Sequence, residues 1–344
     1  MTEYTFDTQV LPGDDAGVAA AGRLLAAGQL VGIPTETVYG LAADATDAAA
    51  VLSIYAAKER PADNPLIVHI AELEEIYNIA AEVPEAALRL AKAFWPGPLT
   101  IILPRGKNIP PEVSAGLDTV SIRMPSHPVA RAIIKASGKP LAAPSGNRSG
   151  RPSPTEARHM LEDMNGRIPL IVDGGECSVG VESTVMTLCT QEPLVLRPGA
   201  VTAEQLSAVL GCPVLLSHAI TEGLKEGEAP QSPGMKYKHY APKAEVTLVV
   251  GDTAQYTAYV NAHAEEGRMA LCFAEDEPAL QIPCVVYGAA DKPEQQAQQV
   301  FSALRRLDEC GAKTVLAHCP QTGGVALAVY NRLLRAAAFR VIQL

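Results

Sequence analysis

Over the first two thirds of the chain, short apolar stretches alternate with stretches of helical character. The apolar stretches are rich in Val, Ile and Leu, which is typical of buried strands. Strands are predicted at residues 30–34, 66–70, 99–103, 120–124, 141–144, 170–172, 183–188 and 194–197. This alternation predicts an α/β fold, in which helices pack against a sheet.

The helices between these strands are predicted from residues that begin or end helices. An alanine-rich stretch from residue 14 to 27 stops at Gly28, and Asp47 is placed to cap a helix that runs to about residue 57. Thr202 and Gln205 have the spacing of a capping box, which predicts a helix ending at residue 210. A further helix is predicted to begin near Thr155.

The pattern changes at residues 217–243, which lose periodicity and gather glycine, proline and charge. This stretch is longer than most connections inside a compact domain, so we interpret it as a linker or lid. The predicted domains are therefore residues 1–216, the linker 217–243 and a small α/β domain at 244–344.

The small C-terminal domain is predicted to have parallel strands, because strands and helices alternate again after residue 244. It lacks the G-x-G-x-x-G pattern, so no dinucleotide is assigned to it. Its predicted strands are residues 246–250, 269–273, 284–287, 314–318 and 339–342, and its predicted helices are residues 253–264, 293–310 and 325–337.

Composition excludes several classes of protein. The chain has 344 residues, of which 48% are hydrophobic and 19% charged, and this excludes a disordered chain. The net charge of −10 argues against a protein that coats nucleic acid, because such affinity comes from neutralising phosphates. We therefore expect any contact with RNA to be local or weak.

Cysteine spacing and the N-terminus indicate a cytoplasmic protein without membrane contact. The seven cysteines are odd in number and contain no C-x-x-C pair, which favours reduced thiols over disulfides or a zinc site. The first residues lack a signal-peptide pattern, and no apolar stretch reaches the roughly 18 residues of a membrane span.

The strongest local anomaly is a stretch without acidic residues, from residue 119 to 155. It contains six cations, Arg123, Arg131, Lys135, Lys139, Arg148 and Arg151. Within it, residues 144–153 (PSGNRSGRPS) combine small residues, hydroxyls and guanidinium groups between a strand and a helix. Such a loop can surround a phosphate with backbone N–H groups and positive charge. The alternative is an ordinary polar loop.

Two further motifs follow predicted elements. Residues 58–65 (KERPADNP) carry Lys58 and Arg60 at a helix end, where cations also favour the helix dipole. Their prolines stiffen the loop and fix how its side chains project. Residues 34–40 (PTETVYG) bring threonines, a carboxylate and a phenol to the end of a strand, where α/β proteins bind ligands. The alternative for this motif is a turn whose threonines cap the backbone.

Two later motifs complete the candidate site. Residues 180–185 (GVESTV), followed by Arg197, offer hydroxyls beside a carboxylate, although Ser183 and Thr184 could belong to an edge strand instead. Residues 232–242 (SPGMKYKHYAP) interleave cations with aromatics, which suits a lid over a nucleotide as well as a solvated tether.

No nucleophile or metal-binding motif is evident. Ser145 lacks the G-x-S-x-G pattern, and the histidines lack H-E-x-x-H spacing. This favours a reaction in which the protein aligns two substrates and neutralises charge.

Together these segments resemble the threonylcarbamoyl-AMP synthase family in its long, two-domain form. The resemblance rests on eight ordered stretches, PTETVYGLAADA from Pro34, KERPADNPLIVHI from Lys58, WPGPLTIIL from Trp95, GLDTVSIRMPSHPVA from Gly116, APSGNRSGRPSPT from Ala143, GVESTV from Gly180, LRPG from Leu196 and SPGMKYKHYAP from Ser232. It implies a YrdC-like twisted mixed sheet with surrounding helices, and a small Rossmann-like α/β domain joined by a linker.

The family's reaction, as the resemblance implies, uses ATP, L-threonine and bicarbonate or CO2. Its products are threonylcarbamoyl-AMP and pyrophosphate, and the enzyme is a nucleotidyltransferase. The product serves the threonylcarbamoyl modification of an adenosine in tRNA, through a downstream threonylcarbamoyl-transferase machinery. Mg²⁺ is expected on the phosphates of ATP, with its ligands unknown.

Matching the motifs gives each candidate residue an implied role. Lys58 and Arg60 are the implied catalytic residues. The implied threonine site consists of Thr37, His69, Arg123, Ala143 and Ser183, with Arg123 on the carboxylate of threonine. The implied ATP site consists of Lys58, Arg60, Asn64, Thr119, Ser145, Asn147, Ser153, Arg197, Tyr237, His239 and Tyr240.

Two other functions are compatible with parts of this pattern. A non-catalytic RNA-binding or regulatory protein could use the same basic surface, although the net charge of −10 counts against it. An enzyme that handles carbamoyl phosphate could contain a related domain, but it would need further modules, including a zinc finger that this chain cannot supply. The role of the C-terminal domain is left open.

Overall fold

The computed structural model describes residues 6–223, 230 and 240–344. These residues form two compact units. Among the described residues with sequence numbers up to 223, all but two tripeptides belong to the first unit. The tripeptides, residues 150–152 and 179–181, cluster with residues 240–344 in the second unit.

The first unit contains a large sheet and the helices that pack on it. Its strands are β1 (Gln9–Pro12), β2 (Val31–Ile33), β3 (Gly40–Asp44), β4 (Ile67–His69), β5 (Leu99–Pro104), β6 (Thr119–Arg123), β7 (Leu141–Ala142), β8 (Leu170–Asp173), β9 (Thr184–Thr187), β10 (Leu194–Arg197) and β11 (Leu215–Leu216). Its α-helices are α1 (Asp15–Ala26), α2 (Ala48–Lys58), α3 (Ile76–Ile79), α4 (Glu85–Phe94), α5 (Pro128–Ser137), α6 (Ala157–Met164) and α7 (Ala203–Leu210).

The large sheet is mixed, as predicted. Within the described residues its order is β1-β8-β2-β3-β7-β4-β6-β5-β9-β10-β11. β4 pairs with β6 in parallel and with β7 in antiparallel orientation. A core of Leu25, Val31, Ile133 and Val172 fixes α1 and α5 against the β2–β8 part of the sheet. Burial of these apolar side chains is the main source of stability here.

The second unit is a parallel α/β layer, which confirms the predicted parallel pairing. Its strands are β12 (Glu245–Val250), β13 (Arg268–Cys272), β14 (Cys284–Val286), β15 (Thr314–His318) and β16 (Val341–Gln343), and its α-helices are α8 (Thr253–Ala262), α9 (Pro293–Glu309) and α10 (Ala326–Ala336). The sheet order among the described residues is β14-β13-β15-β12-β16, and each recorded pair is parallel.

Helix ends follow the sequence closely. The side chain of Asp14 caps α1 by accepting from the N–H of Gly17, and Asp47 caps α2. The capping box of Thr202 and Gln205 is formed at the start of α7, as predicted. Each cap satisfies backbone N–H groups that have no partner inside the helix.

Within the part of the chain that the structure describes, no helix has the length and apolar character needed to cross a membrane.

Candidate active site

The guanidinium group of Arg123 lies at the end of β6 and contacts the loop that follows β2. Its Nη1 donates to Oγ1 of Thr37 at 2.8 Å, and its Nη2 forms an ion pair with Oε1 of Glu36 at 2.7 Å. Its Nε donates to the carbonyl of Gly97 at 3.3 Å. Arg123 is 4% exposed, so these contacts are shielded from solvent.

The loop after β2 is held in shape by Thr35. Its hydroxyl donates to the carbonyl of Val38 at 2.6 Å and accepts from the N–H groups of Thr37 and Val38, both at 3.2 Å. Thr35 therefore caps a turn, which was the alternative reading of this motif. Thr37 differs from Thr35, because its hydroxyl faces Arg123. One threonine of the motif thus caps the turn, and the other contacts a predicted site residue.

His69 is the last residue of β4 and is 2% exposed. Burial, together with the charge of Arg123, lowers the pKa of its imidazole to about 3, so the ring is neutral near pH 7. Its Nδ1 lies 3.1 Å from the carbonyl of Ile67, and that carbonyl also accepts the N–H of Ala143. The imidazole of His69 and the backbone N–H of Ala143 therefore both contact the carbonyl of Ile67.

Ser183 and Arg197 are brought together where β9 begins and β10 ends. Arg197 donates from Nε to the carbonyl of Ser183 at 3.0 Å and from Nη2 to its hydroxyl at 3.1 Å. The Ser183 hydroxyl also lies 2.7 Å from that of Thr100 on β5. Because β9 lies between β5 and β10, the alternative that Thr184 belongs to an edge strand is wrong.

Lys58 joins the two cation-rich loops. It is the last residue of α2, and its Nζ donates to the carbonyls of Ser145 and Asn147, while its own carbonyl accepts the N–H of Ser149 at 3.0 Å. The neighbouring Glu59 also pairs with Arg148 at 2.6 Å. The loop at residues 145–149 is therefore fastened to the end of α2.

Burial lowers the pKa of Lys58. The side chain is 1% exposed, and burial together with the nearby charge of Arg60 lowers the pKa of its ammonium group well below the usual value. The amine contacts two backbone carbonyls, those of Ser145 and Asn147. Lys58 therefore holds this loop through its backbone.

Other predicted ATP residues have contacts or positions of their own. Nη2 of Arg60 donates to the carbonyls of Asn64 and Pro65, both at 3.3 Å. The hydroxyl of Ser153 donates to Oε1 of Glu182 at 2.5 Å, and both side chains are buried. Thr119 lies at the opposite end of β6 from Arg123.

The predicted lid residues do not all fall within the described part of the chain. Tyr237 and His239 lie outside the described residues. Tyr240 is described in the second unit, where its ring centroid lies 5.2 Å from that of Phe301 and 5.6 Å from the guanidinium carbon of Arg332. Its predicted role at the nucleotide stays a prediction.

Two carboxylates contact predicted site residues but were not themselves predicted from the sequence. Glu36 pairs with Arg123, and Glu182 accepts from Ser153. A signal was present in each motif, because each glutamate is adjacent in sequence to a predicted site residue. Among the residues that are described, no cluster of three or more His, Cys, Asp or Glu side chains could hold a metal ion.

Known proteins resemble this chain along nearly its whole length. The family model Sua5_yciO_yrdC, described as telomere recombination, matches residues 23–199, and Sua5_C, described as the C-terminal domain of threonylcarbamoyl-AMP synthase, matches residues 201–338. The threonylcarbamoyl-AMP synthase of Pyrococcus abyssi is 43% identical over 330 residues, covering 95% of each chain. That of Bacillus subtilis is 43% identical over 340 residues, covering 98% of this chain and 97% of its own.

A solved structure agrees with these sequence matches. The crystal structure of P. abyssi Sua5 complexed with L-threonine superposes with a TM-score of 0.89 at 40% identity, covering 98% of this chain and 99% of that one. The predicted α/β fold, with its mixed sheet and small C-terminal domain, is thereby confirmed. The chain belongs to the two-domain Sua5 family.

Proposed function

We propose that this chain is a nucleotidyltransferase that makes threonylcarbamoyl-AMP from L-threonine, bicarbonate or CO2, and ATP, with release of pyrophosphate. The full-length likeness to two proteins named threonylcarbamoyl-AMP synthase supports this proposal. The structural observation that carries it is the junction at Lys58, which joins two cation-bearing loops. The same unit contains the cluster of Arg123, Glu36, Thr37 and His69, called here the Arg123 cluster.

The Arg123 cluster is the proposed threonine site. A guanidinium group can bind a carboxylate with two parallel hydrogen bonds, which suits the α-carboxylate of an amino acid. Neutral His69 and the hydroxyl of Thr37 offer polar contacts without added charge. Ala143 and Ser183 are proposed to line the same site.

The Lys58 junction is the proposed triphosphate site. An anion near Lys58 raises the pKa of the amine, so bound phosphate favours its protonated form. The ammonium has three N–H donors, so one can contact phosphate while the other two keep the loop in place. The remaining proposed ATP residues are Arg60, Asn64, Thr119, Ser145, Asn147, Ser153, Arg197, Tyr237, His239 and Tyr240.

The proposed chemistry has two steps. The ammonium group of threonine first gives one proton to solvent, and the neutral amine nitrogen then bonds to the carbon of CO2 and releases a second proton to solvent, which gives a carbamate. A carbamate oxygen then bonds to the α-phosphorus of ATP, and the bond from that phosphorus to the bridging oxygen breaks, so pyrophosphate leaves. The protein's contribution is to align the substrates and to neutralise charge on the phosphates.

Mg²⁺ is proposed to arrive with ATP. The groups at the Lys58 junction are cationic, hydroxyl and amide groups, which suit phosphate oxygens better than a bare metal ion. A phosphate-bound Mg²⁺ would neutralise the charge that develops on pyrophosphate.

We also propose that the product passes to a threonylcarbamoyl-transferase machinery that modifies tRNA.

The test is exchange of labelled pyrophosphate into ATP, measured with purified full-length protein. Exchange should require both L-threonine and bicarbonate, because the α-phosphate is attacked only by the carbamate made from them. Serine and 2-aminobutyrate serve as controls for the amino acid. Exchange that is indifferent to threonine would contradict the proposal.

A further inference from the structure

The Glu36 carboxylate lies against the guanidinium group that is proposed to bind the amino-acid carboxylate. Its Oε1 is 2.7 Å from Nη2 of Arg123, and Glu36 is 6% exposed. The same guanidinium contacts the hydroxyl of Thr37 and the carbonyl of Gly97. A buried negative charge is thus built into the proposed threonine site.

The charges of this cluster balance. Burial by itself raises the pKa of Glu36, but the charge and contact of Arg123, together with the backbone of Glu36 and Ser126, outweigh it, so the pKa is lowered and the carboxylate is ionised near pH 7. His69 is neutral at that pH. Arg123, Glu36 and His69 therefore carry no net charge together.

A buried, neutral cluster favours a ligand that is itself neutral overall. A ligand with only a carboxylate would leave one negative charge uncompensated in a desolvated site, which is costly. An α-amino acid carries an ammonium group as well, and a single carbon atom separates it from the carboxylate. When the carboxylate binds Arg123, the amine must lie close to the guanidinium and to the carboxylate paired with it.

We propose that Glu36 is a positioning and specificity residue, which receives the amino group of the substrate while Arg123 holds its carboxylate. The site thereby selects zwitterionic α-amino acids over acids that lack the amine. This inference rests on the proposed function. Glu36 orients the nitrogen but does not take its proton, because an ionised carboxylate of low pKa is a weak base.

The test compares two ligands by calorimetric titration of the full-length chain. L-Threonine and (R)-3-hydroxybutyrate share the carboxylate and the hydroxyl, but only threonine has the amine. The unaltered protein should bind threonine about ten- to a hundredfold more tightly, the worth of a hydrogen bond to a charged group. Glu36→Gln should reduce this ratio to about threefold or less, and Glu36→Asp should restore most of it.

The matched control is Glu72→Gln. Glu72 also pairs with an arginine, with 3.6 Å between its Oε1 and Nη2 of Arg131, but it is an exposed residue. This variant should keep the ratio of the unaltered chain. Because both ligands are titrated into the same preparation, partial unfolding of a variant lowers the active fraction without changing the ratio of dissociation constants.

The outcomes separate the two proposals. A Glu36→Gln protein that keeps the full preference for threonine overturns the role of Glu36 alone. The same holds if the unaltered chain binds both ligands equally well, a result that needs no folded variant. Failure of the unaltered chain to bind threonine refutes the proposed function, and the role of Glu36 falls with it.

Discussion

At the scale of single residues, His69 shows how burial sets the charge of the site. It lies at the end of β4, where burial and the charge of Arg123 lower its pKa from 6.5 to about 3. In the unfolded chain the same imidazole titrates near its ordinary value. The unfolded state therefore binds a proton between these pH values that the folded state does not bind.

This difference predicts a pH-dependent stability. The contribution of His69 is fully present above pH 6.5 and is lost as the pH falls toward 3, because protons then favour the unfolded chain. Between pH 6.5 and 5.0 the loss should be about 1.5 kcal/mol. Urea unfolding of the unaltered chain and of His69→Gln at both pH values measures it.

The comparison between the two proteins removes the other titrating groups. His69→Gln should lose less stability over this interval than the unaltered chain does. His263, which is exposed at the end of α8, provides the control in His263→Gln. Equal pH dependence in all three proteins would contradict a buried, neutral His69.

Single residues also show what the sequence could and could not reveal. A motif match indicated Thr37 and Arg123, and the structure places their side chains 2.8 Å apart. Glu36 was not selected, because sequence alone does not show that the β2 loop turns its carboxylate toward β6. That orientation depends on the turn held by Thr35.

At the scale of elements, the end of α2 and the loop after it act together. Lys58 fastens the loop at residues 145–149, and Arg60 binds the carbonyls of its own loop. The position of Lys58 at a helix end was consistent with a simple interaction with the helix dipole. Its contacts with two carbonyls of another loop could not be predicted, since they join residues far apart in sequence.

Arg60→Ala is predicted to reduce activity more than stability. Loss of a guanidinium from the proposed triphosphate site should lower kcat/KM for ATP about tenfold or more. The loss of its carbonyl contacts should reduce the free energy of unfolding by about 1 kcal/mol. The measurements are pyrophosphate exchange at varied ATP concentration and unfolding in urea.

Arg89→Ala is the matched control for this prediction. Arg89 also donates to a backbone carbonyl, that of Leu210 at 2.7 Å, but it lies on α4 and belongs to none of the candidate motifs. It should lose similar stability and keep its activity. Full activity in Arg60→Ala would exclude Arg60 from the ATP site.

Elements differ in how well the sequence predicts them. In the second unit the strands are apolar and alternate clearly with the helices, so the order of its elements was predicted closely. β3 (GLAAD) was missed because glycine and alanine have low strand propensity. It forms a strand through burial and pairing with β2 and β7, which are tertiary effects.

At the scale of the whole molecule, the second unit is not one continuous stretch of chain. Residues 150–152 and 179–181 belong to it, and each tripeptide leads directly into one member of the Ser153–Glu182 hydrogen bond. Inside the second unit, Arg305 donates to the carbonyl of Pro152 at 2.6 Å. The predicted boundary at residue 216 did not anticipate these tripeptides.

Gly180→Ala is predicted to destabilise the chain strongly. Gly180 has a φ of +80°, and a Cβ there would lie 2.3 Å from Cα of Gln298 on α9. Backbone strain and steric overlap together should cost about 3 kcal/mol or more. Thermal and urea unfolding measure the loss.

Gly116→Ala separates strain from overlap. Gly116 has a similar φ of +83°, but a Cβ there would have no neighbouring atom of the described residues within 4 Å. This variant should lose only about 1 kcal/mol, the cost of the backbone conformation. Equal losses in the two variants would mean that the close approach at Gly180 does not matter.

The interrupted second unit also has a consequence for building hybrid proteins. The sequence alone indicates that a cut in the linker would give two exchangeable modules. The chain, however, passes between the two units four times before it reaches the linker. A chimera that takes residues 240–344 from a relative should therefore also take that relative's counterparts of residues 150–152 and 179–181. These six residues complete the second unit, although in sequence they lie within the first.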